Sequence, residues 1–190
     1  MKMAKKNLVK EINLNIMAIK KNRSVTESEK GEFVISRVFD APRELVFKAQ
    51  AESERVERWW GAKGFTTRVI KLDFRPGGVF HYSMRTPDSH EMWGTFIYRE
   101  ILAPERIVFI NSFADKEGNT IQAPFSQTWP LEVLNTLTFS EHAGKTTLAI
   151  RSVPYKATKE ERETFETGLD SMRQGFNGSL DRLADYLAGS

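Results

Sequence analysis

Seven apolar residues in the last quarter of the chain, Phe165, Leu169, Met172, Phe176, Leu180, Leu183 and Leu187, recur every three or four positions. That spacing places them on one stripe of a helix about six turns long. Thr158-Lys-Glu-Glu161 is a capping box that opens it. Such a stripe must be buried against another element, and what precedes it is a series of strands. Residues 32–39, 66–74, 79–85, 91–101, 106–113, 131–140 and 146–153 are rich in β-branched and aromatic residues or alternate in polarity. Most are joined by short turns, which means an antiparallel sheet. The expected fold class is therefore α+β. A curved antiparallel sheet of six to seven strands wraps a long C-terminal helix, with two short helices after the first strand.

The first short helix is expected to start at Asp40 as a cap, with Pro42 in its first turn and Leu45, Val46 and Ala49 on its apolar side. The second covers residues 53–60 and stops at Gly61. A sheet gripping one helix leaves a gap between them, and these two helices close one end. Trp59 and Trp60 suit a plug for the core, and an indole can also face a cavity mouth. In 79–85, Phe80, Tyr82 and Met84 share one face, opposite His81, Ser83 and Arg85. Phe96, Trp93 and Tyr98 belong to the same aromatic group, but parity alone does not say which face looks inward. Residues 114–130 form a long loop in which Phe125 and Trp129 need apolar company.

A length of 190 residues suits one domain with an extension. Residues 1–30 hold eight Lys or Arg against three Glu, a balance of +5, so residues 31–190 carry −2 within the total of +3. We read 1–31 as a basic extension and linker and 32–188 as the domain. A slightly acidic domain argues against nucleic acid as a partner. No apolar run approaches the ~20 residues that cross a bilayer, so no membrane insertion is expected. The N-terminus also lacks the continuous apolar core of a secretory signal. The chain has no Cys, which excludes disulfides and thiolate chemistry and fits a cytoplasmic location.

Several blocks together resemble the START-like superfamily, also called SRPBCC, which has the helix-grip fold of the birch pollen allergen. The blocks are Arg37-Val-Phe-Asp-Ala-Pro-Arg-Glu-Leu-Val-Phe47, Trp59-Trp60-Gly61, Leu72-Asp-Phe-Arg-Pro-Gly-Gly78, Gly94-Thr-Phe-Ile-Tyr-Arg-Glu-Ile101 with Pro104-Glu-Arg-Ile107, and Leu180-Asp-Arg-Leu-Ala-Asp-Tyr-Leu187. The branch they most resemble is the bacterial family of homologues of the activator of heat-shock protein 90 ATPase. Many members carry Gly-Trp in the last helix where this chain has Gly175-Phe176, which removes an indole donor. The resemblance implies a helix-grip fold around an internal apolar cavity. It also implies a small apolar molecule as partner and no cofactor. A chaperone partner is suggested by the family's name and by nothing in the residues.

Chemistry is sparsely signalled. His81, His90 and His142 have no metal-ligand spacing, and no metal is expected. No nucleophile elbow, Walker loop or dinucleotide glycine pattern is present. His81 is an acid/base if its face looks inward and a surface residue otherwise. Asp73, Glu91, Arg68 and Arg151 read as surface strand residues, while Asn135 and Thr138 could offer neutral hydrogen bonds. The expected site consists of Trp59, Trp60, Phe80, Tyr82, Met84, Phe96, Asn135, Met172 and Phe176. The expected function is binding of a small hydrophobic or aromatic ligand between sheet and helix. A polyketide-cyclase-like enzyme in the same cavity and a co-chaperone-like protein-binding domain are the alternatives. A large side chain at Gly175 is expected to fill the cavity.

Overall fold

The computed structural model describes residues 31–189. The readings placed on residues 1–30 lie outside the described residues. Seven strands form one antiparallel sheet: β1 (Phe33–Phe39), β2 (Thr66–Leu72), β3 (Val79–Arg85), β4 (Glu91–Leu102), β5 (Arg106–Ala114), β6 (Val133–His142) and β7 (Lys145–Pro154). Their order is β1-β7-β6-β5-β4-β3-β2. Every strand from β2 to β7 therefore pairs with its neighbour in sequence, and β1 closes onto β7. Helices α1 (Arg43–Lys48) and α2 (Ser53–Trp59) link β1 to β2, and α3 (Lys159–Thr167) and α4 (Leu169–Ala188) follow β7. This is the α+β helix-grip arrangement.

Register fixes which residues look inward. Phe80 stands opposite Phe96 and Phe96 opposite Asn111; Tyr98 stands opposite Phe109, Phe109 opposite Asn135, and Asn135 opposite Ser152. Directly paired residues share a face, so these belong to one inner surface. Helix α4 lies across it. Leu180 and Leu183 are fully buried, and Phe33 of β1 meets Phe176 at 5.1 Å between ring centres. Arg37 of β1 donates to Asp181 of α4 at 2.6 Å and holds the helix to that sheet edge.

The C-terminal stripe is divided between two helices. The Thr158 capping box is complete, with Glu161 N–H donating to Thr158 Oγ1 and Thr158 N–H to the Glu161 carboxylate. The helix it opens ends at Gly168, and α4 starts at Leu169. The Trp129 ring occupies the place of a side chain here: a Cβ on Gly168 would lie 2.6 Å from Trp129 Cζ3. Asp40 does not cap α1. The cap position is Pro42, with no side-chain hydrogen bond, because Asp40 stands two residues too early; its carboxylate pairs with Lys145 instead.

Candidate functional site

Between the inner face of the sheet and α4 lies a cavity of about 180 Å³. Its floor is aromatic: Phe80, Phe96, Tyr98 and Phe109 line it, with Phe96 and Phe109 stacked at 4.1 Å. Helix α4 contributes Met172, Phe176, Ser179 and Leu180 as the roof. Val56, Trp59, Trp60 and Gln50 form the end made by the short helices, and Phe113 and Trp129 lie among the remaining lining residues. Phe125 stands exposed beside those two, edge-on to both at 5.5 and 5.4 Å.

The tryptophan pair splits its duties. Trp59 is buried, and its indole N–H donates to the Ala49 carbonyl at 2.9 Å, tying α2 to the end of α1. Trp60 sits edge-on to Trp59, Tyr82 and Phe96, with ring centres 5.4 to 6.3 Å apart. The segment after it is gripped by Arg182 of α4. One guanidinium nitrogen, Nη1, donates to the carbonyls of Trp60, Gly61, Ala62 and Phe65, and Nη2 donates to Arg58. Burial pulls the Arg182 pKa below its ordinary value. Gly61 follows with φ +104°, a left-handed conformation that favours glycine and turns the chain away from α2.

Of the residues expected at the site, Trp59, Trp60, Phe80, Phe96, Asn135, Met172 and Phe176 line this cavity. Tyr82 and Met84 share the inner face but lie outside it. They line a separate hollow of about 70 Å³ together with Met92, Gly94 and Phe113. The cause is Gly94, opposite Tyr82 across the strand pair: a Cβ there would lie 2.6 Å from the Tyr82 hydroxyl, so the ring lies over the bare backbone of β4. Gly175 is exposed and a Cβ on it would meet nothing, so a large side chain there points to solvent and not into the cavity. The β5 residues Ile107, Phe109, Asn111 and Phe113 were absent from the expected set. Their strict alternation was a usable signal, but it needed the register to choose the face.

Polar groups are few. Ser152 donates to Asn135 Oδ1 at 2.6 Å, and Asn135 Nδ2 donates to Asn111 Oδ1 at 2.9 Å and to the Val133 carbonyl at 3.0 Å. The Asn135 amide is thereby committed to the protein, and Thr138 points outward, exposed. No Asp, Glu, His, Lys or Arg lines the cavity. Its one ionisable side chain is Tyr98, whose pKa burial raises. Neighbouring Tyr82 is pushed up to about 12 by burial, an effect that Trp60 partly opposes.

His81 is neither inward nor on the surface. It is buried on the outer face because the segment after β5 folds back over it. Thr120 bridges to Ala114, Gly118 packs against the imidazole, and the ring Nε2 is 3.3 Å from the Asp115 carbonyl. His90 pairs with Asp88 in the exposed β3–β4 turn. Asp73, Glu91 and Arg151 pair with Arg75, Arg85 and Glu32. Among the described residues, no cluster of three or more His, Asp or Glu could hold a metal ion. No helix among them is long and apolar enough to cross a membrane.

A sheet gripping a helix over an aromatic hollow defines a helix-grip protein of the SRPBCC type. The chain belongs to the family described as activator of Hsp90 ATPase homolog 1-like protein, whose model matches residues 40–188. No curated protein matches the chain. Among solved structures it is similar to Ms6760 from Mycobacterium smegmatis, at 23% identity and a TM-score of 0.71, over 86% of this chain and 96% of that one. It is also similar to a protein from Arthrobacter aurescens, at 23% identity and a TM-score of 0.72, over 87% and 91%. DynU16, of the dynemicin biosynthetic locus, shares 18% identity at a TM-score of 0.55, over 84% of this chain and 48% of that one. Likenesses at these identities show the fold.

Proposed function

We propose that this chain is a cytoplasmic protein that binds a small apolar or aromatic molecule in the cavity between sheet and α4. The observation that carries this reading is the composition of the wall. Aromatic and aliphatic side chains make up nearly all of it, and no charged residue is present. Sites of this kind bind by apolar burial with a few placed polar groups. The cytoplasmic part rests on the sequence, since a chain without cysteine depends on no oxidising compartment.

The two alternatives draw less support. A cyclase would need an ionisable residue at the reacting centre with a pKa near its working range. The lining offers only Tyr98, which burial holds protonated. A surface for a protein partner would need a broad apolar patch. Of the exposed large apolar residues among those described, Val38 lies on β1 and Ile70 on β2, at opposite edges of the sheet, Leu102 ends β4, and Ile121, Phe125 and Leu131 lie in the segment between β5 and β6.

Naphthalene titrated into isotopically labelled protein tests the reading. The signals of Trp60, Trp129 and Met172 should shift along saturable curves. Ser179→Phe, which directs a ring from α4 into the gap, should remove those shifts in a folded protein. Uptake that is linear in probe concentration, or unaffected by Ser179→Phe, would count against an internal site.

A further inference from the structure

A relay of three polar side chains on the inner face of the sheet ends at Asn111, and its direction can be worked out. The Val133 carbonyl can only accept, so the end of the Asn135 amide 3.0 Å from it must be Nδ2. That leaves Asn135 Oδ1 to accept from the Ser152 hydroxyl at 2.6 Å. The same Asn135 Nδ2 lies 2.9 Å from the Asn111 amide, which must therefore turn its oxygen to it. Asn135 and Ser152 are both buried, so the relay is shielded from competing water. Its outcome is an Asn111 amide whose oxygen is spent and whose Nδ2 donates to none of the described residues. Asn111 is only half-buried, and its Nδ2 is not among the donors withdrawn from solvent. It stands between Phe96 of β4 and Val133 of β6, which both line the cavity, and it borders the smaller hollow beside Tyr82 as well.

The rest of the wall narrows the occupant. Asn135 and Ser179 spend their donors on the protein, and the Tyr98 hydroxyl, able to donate or accept, selects neither polarity. Asn111 Nδ2 can only donate, so it selects an acceptor. The wall holds no cation to meet a carboxylate and no carboxylate to meet an amine, and burying an unpaired ion there would be far costlier than burying a neutral group. The volume of about 180 Å³ is only a little larger than the roughly 150 Å³ of an apolar cavity that takes up benzene. We propose that Asn111 is the residue that selects the ligand's polar group, and that the ligand is an uncharged molecule of about one aromatic ring whose acceptor, such as a ketone or ester oxygen, takes a hydrogen bond from Asn111 Nδ2. Asn135 and Ser152 are positioning residues that hold the amide this way round. This inference rests on the binding reading above.

Three probes of matched shape and heavy-atom count test this: acetophenone, cumene and benzoate. Acetophenone offers an acceptor, cumene replaces it with a methyl group, and benzoate adds charge. In the wild type, acetophenone should move an Asn111 side-chain amide proton downfield along a saturable curve, and cumene should bind without that downfield shift. Asn111→Leu keeps the shape of the side chain and removes the donor. It should weaken acetophenone about 3- to 10-fold, the worth of one neutral hydrogen bond, while changing cumene by less than about 2-fold. Benzoate at neutral pH should bind at least about 10-fold more weakly than acetophenone. The variant also takes an acceptor from Asn135, so its fold is checked by its backbone amide spectrum; if it does not fold, the wild-type Asn111 shifts decide alone. If acetophenone binds without moving the Asn111 amide, if Asn111→Leu weakens both neutral probes alike, or if benzoate binds as tightly as acetophenone, the assignment is wrong and the binding reading stands. If neither neutral probe gives saturable shifts anywhere in the cavity, the binding reading fails and takes this assignment with it.

Discussion

Tyr82 shows how a single residue can belong to the right face and the wrong cavity. Its place in the Phe80, Tyr82, Met84 alternation was legible, and all three do look inward. What the alternation could not carry was Gly94, four residues into the next strand, where the absent side chain lets the phenol lie flat. The same burial has a measurable consequence. Desolvation disfavours the phenolate and raises the Tyr82 pKa to about 12, against about 10 in an unfolded chain. Below pH 10 both states hold the proton and the contribution is fully present. Between about 10 and 12 the unfolded chain loses its proton while the folded protein keeps it, so stability falls as pH rises through that window. The loss should amount to about 2 to 3 kcal/mol at the top of the window. Denaturation midpoints at pH 9, 10 and 11 should fall more steeply for the wild type than for Tyr82→Phe, and parallel slopes would rule out this role. His81 is the reverse case. Its position opposite Phe80 was legible, but its burial depends on a turn more than thirty residues later, over Asp115 and Gly118. No local pattern encodes such a return.

Elements were more legible than their junctions. All seven strands, both short helices and the capping box follow from periodicity and turn chemistry, because those signals are local. The break at Gly168 is not local: it needs Trp129 seated where a Cβ would be. The junction between α2 and β2 depends on distance in sequence even more. Residues 60–65 have no regular structure and are held to α4 by Arg182, whose partners lie more than a hundred residues earlier. The bond to Arg58 satisfies a carbonyl that α2 leaves open at its end, and the others satisfy carbonyls of the irregular segment that follows. Arg182→Met keeps the aliphatic stem and removes every donor, so it should lower stability by about 2–4 kcal/mol. Hydrogen exchange should quicken at residues 60–65 and remain slow in the β5–β6 pair. Unchanged exchange in 60–65 would mean that Arg182 is an ornament of the surface. Because Trp60 heads this segment, the same variant should also loosen the end of the cavity that its indole closes.

On the scale of the whole molecule, the cavity is core that was never filled. The sheet and α4 are kept apart where Phe96 and Phe109 stack on one side and Met172 and Phe176 cross on the other, while Leu180, Leu183 and Phe33 close the packing nearby. A protein with no use for the space could gain stability by filling it, since unfilled volume costs about 24 cal/mol per Å³ in mutational series. Ser179 is the position to test this, as it is buried, faces the cavity and spends its hydroxyl only on the Gly175 carbonyl one turn back. Ser179→Phe exchanges a small polar group for a ring that the gap can hold. It should raise the denaturation midpoint, by about 1–2 kcal/mol in stability, while removing probe uptake. Leu180→Ala works in the opposite direction. It widens the same gap from an adjacent, fully buried position and should cost about 2–5 kcal/mol. If the wild type is already optimally packed, Ser179→Phe will instead be overpacked and lose about 1–3 kcal/mol. The sign of that one change therefore decides whether the hollow is spare volume maintained for an occupant or an incidental looseness of the fold.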